Sequence, residues 1–158
     1  MTDLVTGKAA PGVSLSTDTG ETFKLADHRG HPVVLTFYSD GTTEGCAIQN
    51  AEFSALLPDF EALDATVVAI APQSEKACST FRKKYKLGHI LIADPDLKAL
   101  NAYGLWQEKK LYGHVHMGVV RTTVIVDKSG KVAEIIRATR IKGHAQKVLD
   151  ALRVSTAT

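Results

Sequence analysis

Two cysteines stand in this chain of 158 residues, in different settings. Cys46 lies in "TTEGCAIQN" (42–50), where a polar loop passes from an apolar run into helical spacing. At the first turn of a helix a thiol meets unpaired N–H groups and a partial positive charge, which favour the thiolate and lower its pKa from about 8.5. The same position suits a small buried hydrophobe, so placement alone leaves Cys46 either a nucleophile or a core filler. Thr43, three residues earlier, is of the type that caps a helix, with Thr42 beside it. A threonine hydroxyl there can also hydrogen-bond a thiolate or a bound oxygen, and the two roles are compatible. Cys78 lies in "SEKACSTFRKKYKLG" (74–88), where Cys78, Phe81 and Tyr85 fall at i, i+3 and i+7. That is a core stripe, in which a cysteine is a small apolar residue.

Other chemistry is thinly represented. No CxxC pair is present, which argues against thioredoxin-type exchange and a cysteine zinc site. His114 and His116 in "GHVHMG" can share one face of an extended segment, but two histidines without further ligands do not make a metal site, and none is expected. His28, His89 and His144 have no acid–base partner evident in the sequence, and Trp106 and Tyr112 read as packing residues. Nineteen Lys and Arg against seventeen Asp and Glu give a net charge of +2, too mild and too evenly spread for a nucleic-acid or membrane partner. The densest basic run, "FRKKYK" (81–86), reads as a solvated helix face. The stretch "TVVAIAP" (66–72) is far too short to span a bilayer, and no apolar leader follows a basic start. A cytoplasmic, reducing setting is expected, where a cysteine tends to serve chemistry rather than stapling.

The elements that must position these residues follow from periodicity. "VSLS" (13–16) and "ETFKL" (21–25) alternate about "TDTG" and predict a hairpin. "PVVLTFY" (32–38) and "ATVVAIA" (65–71) are continuous β-branched runs, the pattern of strands buried on both faces. Between them, residues 45–63 carry helical spacing, with Ile48, Phe53, Leu56, Leu57 and Phe60 on one broad face. A helix over 74–88 with a Ser cap and a terminal Gly, a strand over 89–94 and a short helix over 96–104 come next. "VVRTTVIVD" (119–127) and "KVAEIIRA" (131–138) flank "KSG" as a hairpin. "GHAQKVLDALRV" (143–154) closes the chain as an amphipathic helix, with Ala145, Val148, Leu149 and Leu152 on one side. There is no repeat or linker, so residues 1–158 are expected to form one domain. It would be an α/β thioredoxin-like fold: a central mixed β-sheet flanked by helices, with an N-terminal β-hairpin.

"FYSDGTTEGC" (37–46) resembles the active-site stretch of the peroxiredoxins, in which a Pro, a Thr and the peroxidatic Cys follow an FY-ended strand as PxxxTxxC. The match is specific to the bacterioferritin comigratory protein, or Q-type, branch. "KAAPGVSLSTDTGETFKLAD" (8–27), "YGLWQEKKLYGHVHMGVVRTTVIVDKSGKV" (103–132) and "IKGHAQKVLDAL" (141–152) resemble that branch in register, so the likeness covers essentially the whole chain. It implies that Cys46 is the peroxidatic residue, that Thr43 supplies the hydroxyl, and that Arg121 supplies the guanidinium that stabilises thiolate and peroxide. In "VVRTTVIV" an arginine is otherwise out of place unless it meets an anion. The implied activity is a thiol-dependent peroxidase acting on hydrogen peroxide and organic hydroperoxides. Cys46 would pass through a sulfenic acid and be recycled by thioredoxin or another thiol reductant, with no cofactor, in a monomer.

This chain departs from that pattern at three places. Ser39 replaces the family's Pro, Glu44 stands where the branch often has another Pro, and Ala51 stands where many members carry a resolving Cys. Ser39, Glu44 and Gly45 are expected to line the pocket. Some members carry the resolving Cys on the following helix, which makes Cys78 a possible resolving cysteine, against its reading as core. A redox-sensing thioredoxin-fold module with little turnover is the alternative function, and steady-state peroxide consumption with a thiol reductant separates the two.

Overall fold

The computed structural model describes residues 4–39 and 43–156; Thr42 lies outside them. The β-branched runs become the strands of one five-stranded sheet with the order β5-β4-β3-β8-β9. In it β3 (Val33–Phe37), β4 (Thr66–Ala71) and β5 (Ile90–Ala93) are parallel neighbours, while β8 (Thr122–Val126) runs antiparallel to β3 and to β9 (Val132–Arg137). Every residue of β3 and β8 is buried, as befits strands covered on both faces. The expected N-terminal hairpin is β1 (Ser14–Ser16) with β2 (Thr22–Lys24).

Side-chain alternation divides the interior. Val33, Leu35 and Phe37 point to one face, where they pack with Val68, Ile70, Val124 and residues of α4 (Lys98–Ala102). Val34, with Val67, Ile125 and Ile136, points to the other face, under Phe53 of α1 (Glu44–Ala55), Phe60 of α2 (Leu57–Ala62) and Val148, Leu149 and Leu152 of α5 (His144–Thr156). Beyond the end of β3, Tyr38 joins Cys46, Cys78, Phe81 and Leu91 in a third apolar cluster, against α3 (Glu75–Tyr85).

The structure corrects several expectations. The helix expected over 45–63 is two helices, α1 and α2, joined at Leu56, because Pro58 in the first turn of α2 cannot continue α1. On α1 the buried residues are Cys46, Ala47, Gln49, Asn50 and Phe53, while Ile48 is only half-buried. The last helical turn of α3 is closed by Lys86 in the left-handed region (φ 52°), not by Gly88. Arg82 in "FRKKYK" is half-buried rather than fully solvated: it makes a bidentate pair with Asp18 (Nε–Oδ2 2.6 Å, Nη2–Oδ1 3.0 Å), which ties α3 to the loop of the N-terminal hairpin.

The segment before β8 holds a hairpin that periodicity missed, β6 (Trp106–Leu111) and β7 (His114–Val119). Tyr112 (φ 52°) and Gly113 (φ 78°) make its turn, and Tyr112 is 92 % exposed at the tip rather than packed. His114 and His116 lie exposed on one face of β7. Among the described residues no group of three or more His, Cys, Asp or Glu is placed to hold a metal ion. No helix among them is long and apolar enough to cross a membrane.

Candidate active site

The polar turn after β3 and the start of α1 carry the first half of the site. Thr43 is the N-cap of α1, its Oγ1 accepting from the Cys46 N–H at 3.4 Å, a bond type worth about 1 kcal/mol to a helix. Since that bond uses Oγ1 as an acceptor, the Thr43 hydroxyl hydrogen is left to donate elsewhere. Cys46 is the third residue of the helix and is completely buried, so its sulfur sits where the first-turn N–H groups converge. Glu44 is exposed in the first turn. At Gly45 a Cβ would lie 2.7 Å from Ile141 Cδ1 and 3.8 Å from Arg121 Nη2, so glycine keeps the wall of the site open there.

The second half comes from the entry to β8, the strand paired with β3. Arg121 is the residue before β8 rather than a member of it, and backbone bonds pin it on both sides. Val120 N–H donates to the Leu105 carbonyl (2.7 Å), and Ala138 N–H donates to the carbonyl of Arg121 itself (3.0 Å). The half-buried guanidinium places Nη2 3.3 Å from Cys46 Sγ and donates through Nη1 to Gln49 Oε1. Ser39 Oγ reaches Cys46 Sγ at 3.3 Å from the other direction. The position that is Pro in the resembling family is therefore a hydroxyl in contact with the sulfur.

Two buried side chains on α1 brace this turn. Gln49 links Arg121 to Thr36 Oγ1 of β3 (2.7 Å). Asn50 donates to the Cys46 carbonyl (2.9 Å) and accepts from His89 Nε2 (2.9 Å). Burial holds His89 down to about 4, aided by Arg82, so the ring is neutral, and its Nδ1 meets no hydrogen-bond partner among the described residues. Gln49 and Asn50 escaped the sequence reading, which also showed no partner for His89. The available signal was two adjacent amides on the face of α1 that should have been apolar.

Cys78 occupies the same apolar cluster, completely buried on α3, and neither cysteine is in a disulfide. Its thiol faces the Ile92 carbonyl at 3.9 Å. Burial pushes the Cys78 thiol up to about 11; the Tyr38 hydroxyl opposes the rise, Asp18 adds to it, Arg82 lowers it and Glu75 raises it. Burial also drives the Tyr38 phenol far up, with Cys78 the next cause and Cys46 a smaller one, so the ring lies beside both thiols. Cys46, Thr43, Ser39, Gly45 and Arg121 thus come together, and Cys78 sits behind them with Tyr38.

A sulfur ringed by a cation, a hydroxyl and helix-start N–H groups can carry negative charge and deliver it to an electrophile. Comparisons with known proteins agree with that chemistry. The model of the AhpC/TSA family matches residues 6–135. The peroxiredoxin Bcp of Bacillus subtilis is 33% identical over 147 residues, covering 93% of this chain and 94% of its own. A putative peroxiredoxin bcp of Helicobacter pylori is 37% identical over 152 residues, covering 96% of this chain and 100% of its own. Among solved structures, the bacterioferritin comigratory protein of Xanthomonas campestris, studied for alkyl peroxide reduction, superposes with a TM-score of 0.87 at 30% identity, covering 91% of this chain and 92% of that one.

Proposed function

The chain belongs to the AhpC/TSA family, and from that premise we propose that this thiol peroxidase attacks hydroperoxides with Cys46, assisted by Arg121, Thr43 and Ser39. The carrying observation is the 3.3 Å contact between Arg121 Nη2 and Cys46 Sγ, a fixed cation at a buried sulfur. The thiolate gives an electron pair to one peroxide oxygen. An S–O bond forms, the O–O bond breaks, and the departing alkoxide or hydroxide takes up a proton as alcohol or water. Cys46 is left as a sulfenic acid. Negative charge grows on the leaving oxygen, where Arg121 and the unused hydroxyl hydrogen of Thr43 can meet it. Ser39 donates to the sulfur before attack.

Cys78 then resolves the sulfenic acid. Its sulfur attacks Cys46 Sγ, an S–S bond forms, and the sulfenic hydroxyl leaves as water with the Cys78 proton. With its pKa near 11, Cys78 is a poor nucleophile while the third cluster stays packed. Resolution therefore asks α1 and α3 to open locally, so that water reaches the Cys78 thiol and it can ionise. A dithiol such as thioredoxin reduces the bond, matching the reducing compartment expected from the sequence. The proposed cycle asks for no residue from a second copy of the chain, and the reading takes a monomer as the working unit.

Steady-state consumption of hydrogen peroxide and of a small organic hydroperoxide, with thioredoxin and its reductase, tests this reading. Many turnovers that vanish in Cys46→Ser are expected. Only a few turnovers with every thiol reductant would transfer the protein to the sensor class.

A further inference from the structure

Thr36 and Thr123 are completely buried hydroxyls on the central strand β3 and its neighbour β8. They are register partners across β3 and β8, on the face that otherwise presents Val34 and Ile125 to the helices. A buried hydroxyl without a partner is costly, so a pair of them in an apolar layer calls for a reason. The two are 2.9 Å apart, and Thr123 Oγ1 lies 2.7 Å from Nε2 of His144, the buried first residue of α5. With the Gln49 bonds this makes one unbroken chain from Arg121 through Gln49, Thr36 and Thr123 to His144.

The direction of the chain follows from the donors. A guanidinium can only donate, so Gln49 turns its oxygen to Arg121 and its N–H to Thr36. Thr36 then passes its own hydrogen to Thr123, and Thr123 passes its hydrogen to His144 Nε2, leaving the imidazole proton on Nδ1. Reversing the last link would leave one of the two threonine hydroxyl hydrogens with no acceptor in the chain. All links therefore point from the cation toward one neutral acceptor, an arrangement in which each bond polarises the next. Burial keeps His144 neutral, at about 4, with Lys147 and Arg121 adding to the effect.

We infer that His144 is a positioning residue for the peroxidase: through Thr123, Thr36 and Gln49 it holds the Arg121 guanidinium in the orientation that presents Nη2 to Cys46. This rests on the assignment of Cys46 and Arg121 to the reaction. Without the acceptor at the far end, the Thr123 and Thr36 hydroxyls lose their fixed direction, the anchor that Thr36 gives the Gln49 amide loosens, and with it the tether of Arg121, although neither Gln49 nor Arg121 touches His144.

The test compares His144→Phe, which removes the acceptor and keeps a ring, with His144→Gln, which returns an oxygen acceptor. The readouts are the second-order rate with hydrogen peroxide and the Cys46 thiolate midpoint, from absorbance differenced against Cys46→Ser. Roughly a tenfold slower reaction and a raised midpoint are expected for His144→Phe, the scale of loosening one charge-assisted hydrogen bond, with most of both recovered in His144→Gln. If both variants match the wild type, or both are equally slowed, the relay is overturned. Should His144→Phe fail to fold, Thr123→Val takes its place: loss in both readouts supports the relay and wild-type behaviour overturns it. Peroxide consumption that survived Cys46→Ser would instead remove the catalytic assignment, while the thiolate midpoint would still read the relay.

Discussion

Cys46 and Cys78 share one apolar cluster and are equally buried, yet their sulfurs meet opposite surroundings. Around Cys46 lie the Arg121 guanidinium, the Ser39 hydroxyl and the first-turn N–H groups of α1. Around Cys78 lie Phe81, Leu91 and a backbone carbonyl, with Asp18 and Glu75 adding negative potential. Burial penalises the anion at both; at Cys78 the Tyr38 hydroxyl and Arg82 offset only part of that penalty, whereas at Cys46 a guanidinium lies against the sulfur. Reactivity here is set by position within a helix. Cys46 is the third residue of α1, where its N–H is met by the Thr43 side-chain cap, whereas Cys78 is the fourth residue of α3 and its N–H already makes the helical bond to the Ser74 carbonyl.

Acid should erode the Cys46 side first. Its helix turn is braced by two buried neutral histidines, His89 and His144, both held at about 4 against an ordinary value near 6.5. Folded values below the unfolded ones mean that stability is complete above about pH 6.5 and is lost as pH falls toward 4, levelling below it, by about 3 kcal/mol per histidine. Chemical denaturation across that range should show the fall, with hydrogen exchange rising in α1 before α3. A flat profile would remove the brace from the comparison.

Replacing Arg121 by Gln should make Cys46 more like Cys78. The expected loss in kcat/KM for peroxide is roughly 10²–10³-fold, the scale of removing one preorganised charge-stabilising donor. The Cys78 alkylation rate in denaturant should not change. Ser39→Ala is expected to act in the same direction more weakly, by roughly tenfold or less, because a neutral hydroxyl is a weaker donor than a guanidinium. If peroxide reacts as fast with Ser39→Ala, the hydroxyl at the family's Pro position is filler. The smallest change is expected from Glu44→Pro. It removes an exposed carboxylate from the first turn of α1, and titration of thiolate absorbance should show a lower Cys46 pKa. An unchanged or raised value would contradict the electrostatic argument.

Much of this contrast was legible in the sequence because it is local. The buried strands 32–38 and 65–71, the Thr43 cap and the stripe containing Cys78 all follow from spacing within a few residues. The polar scaffold of Cys46 was not, because it is made by strand register. Thr36 looks like a defect in "PVVLTFY" until β8 brings Thr123 opposite it, and His144 has no partner until α5 packs on that face. Periodicity misses the β6–β7 hairpin because its strands are largely exposed and carry no apolar run. Pro58 marked the break between α1 and α2, but apolar spacing on both sides of it matched one continuous helix.

The most direct test of the contrast is intact mass and non-reducing peptide mapping of the reduced protein after one equivalent of hydrogen peroxide, alongside Cys78→Ser. Oxidation that begins at Cys46 is predicted, ending as a Cys46–Cys78 disulfide in the wild type and as a sulfenic acid at Cys46 in Cys78→Ser. Oxygen found first on Cys78, or a wild-type protein oxidised at neither cysteine, would contradict the account.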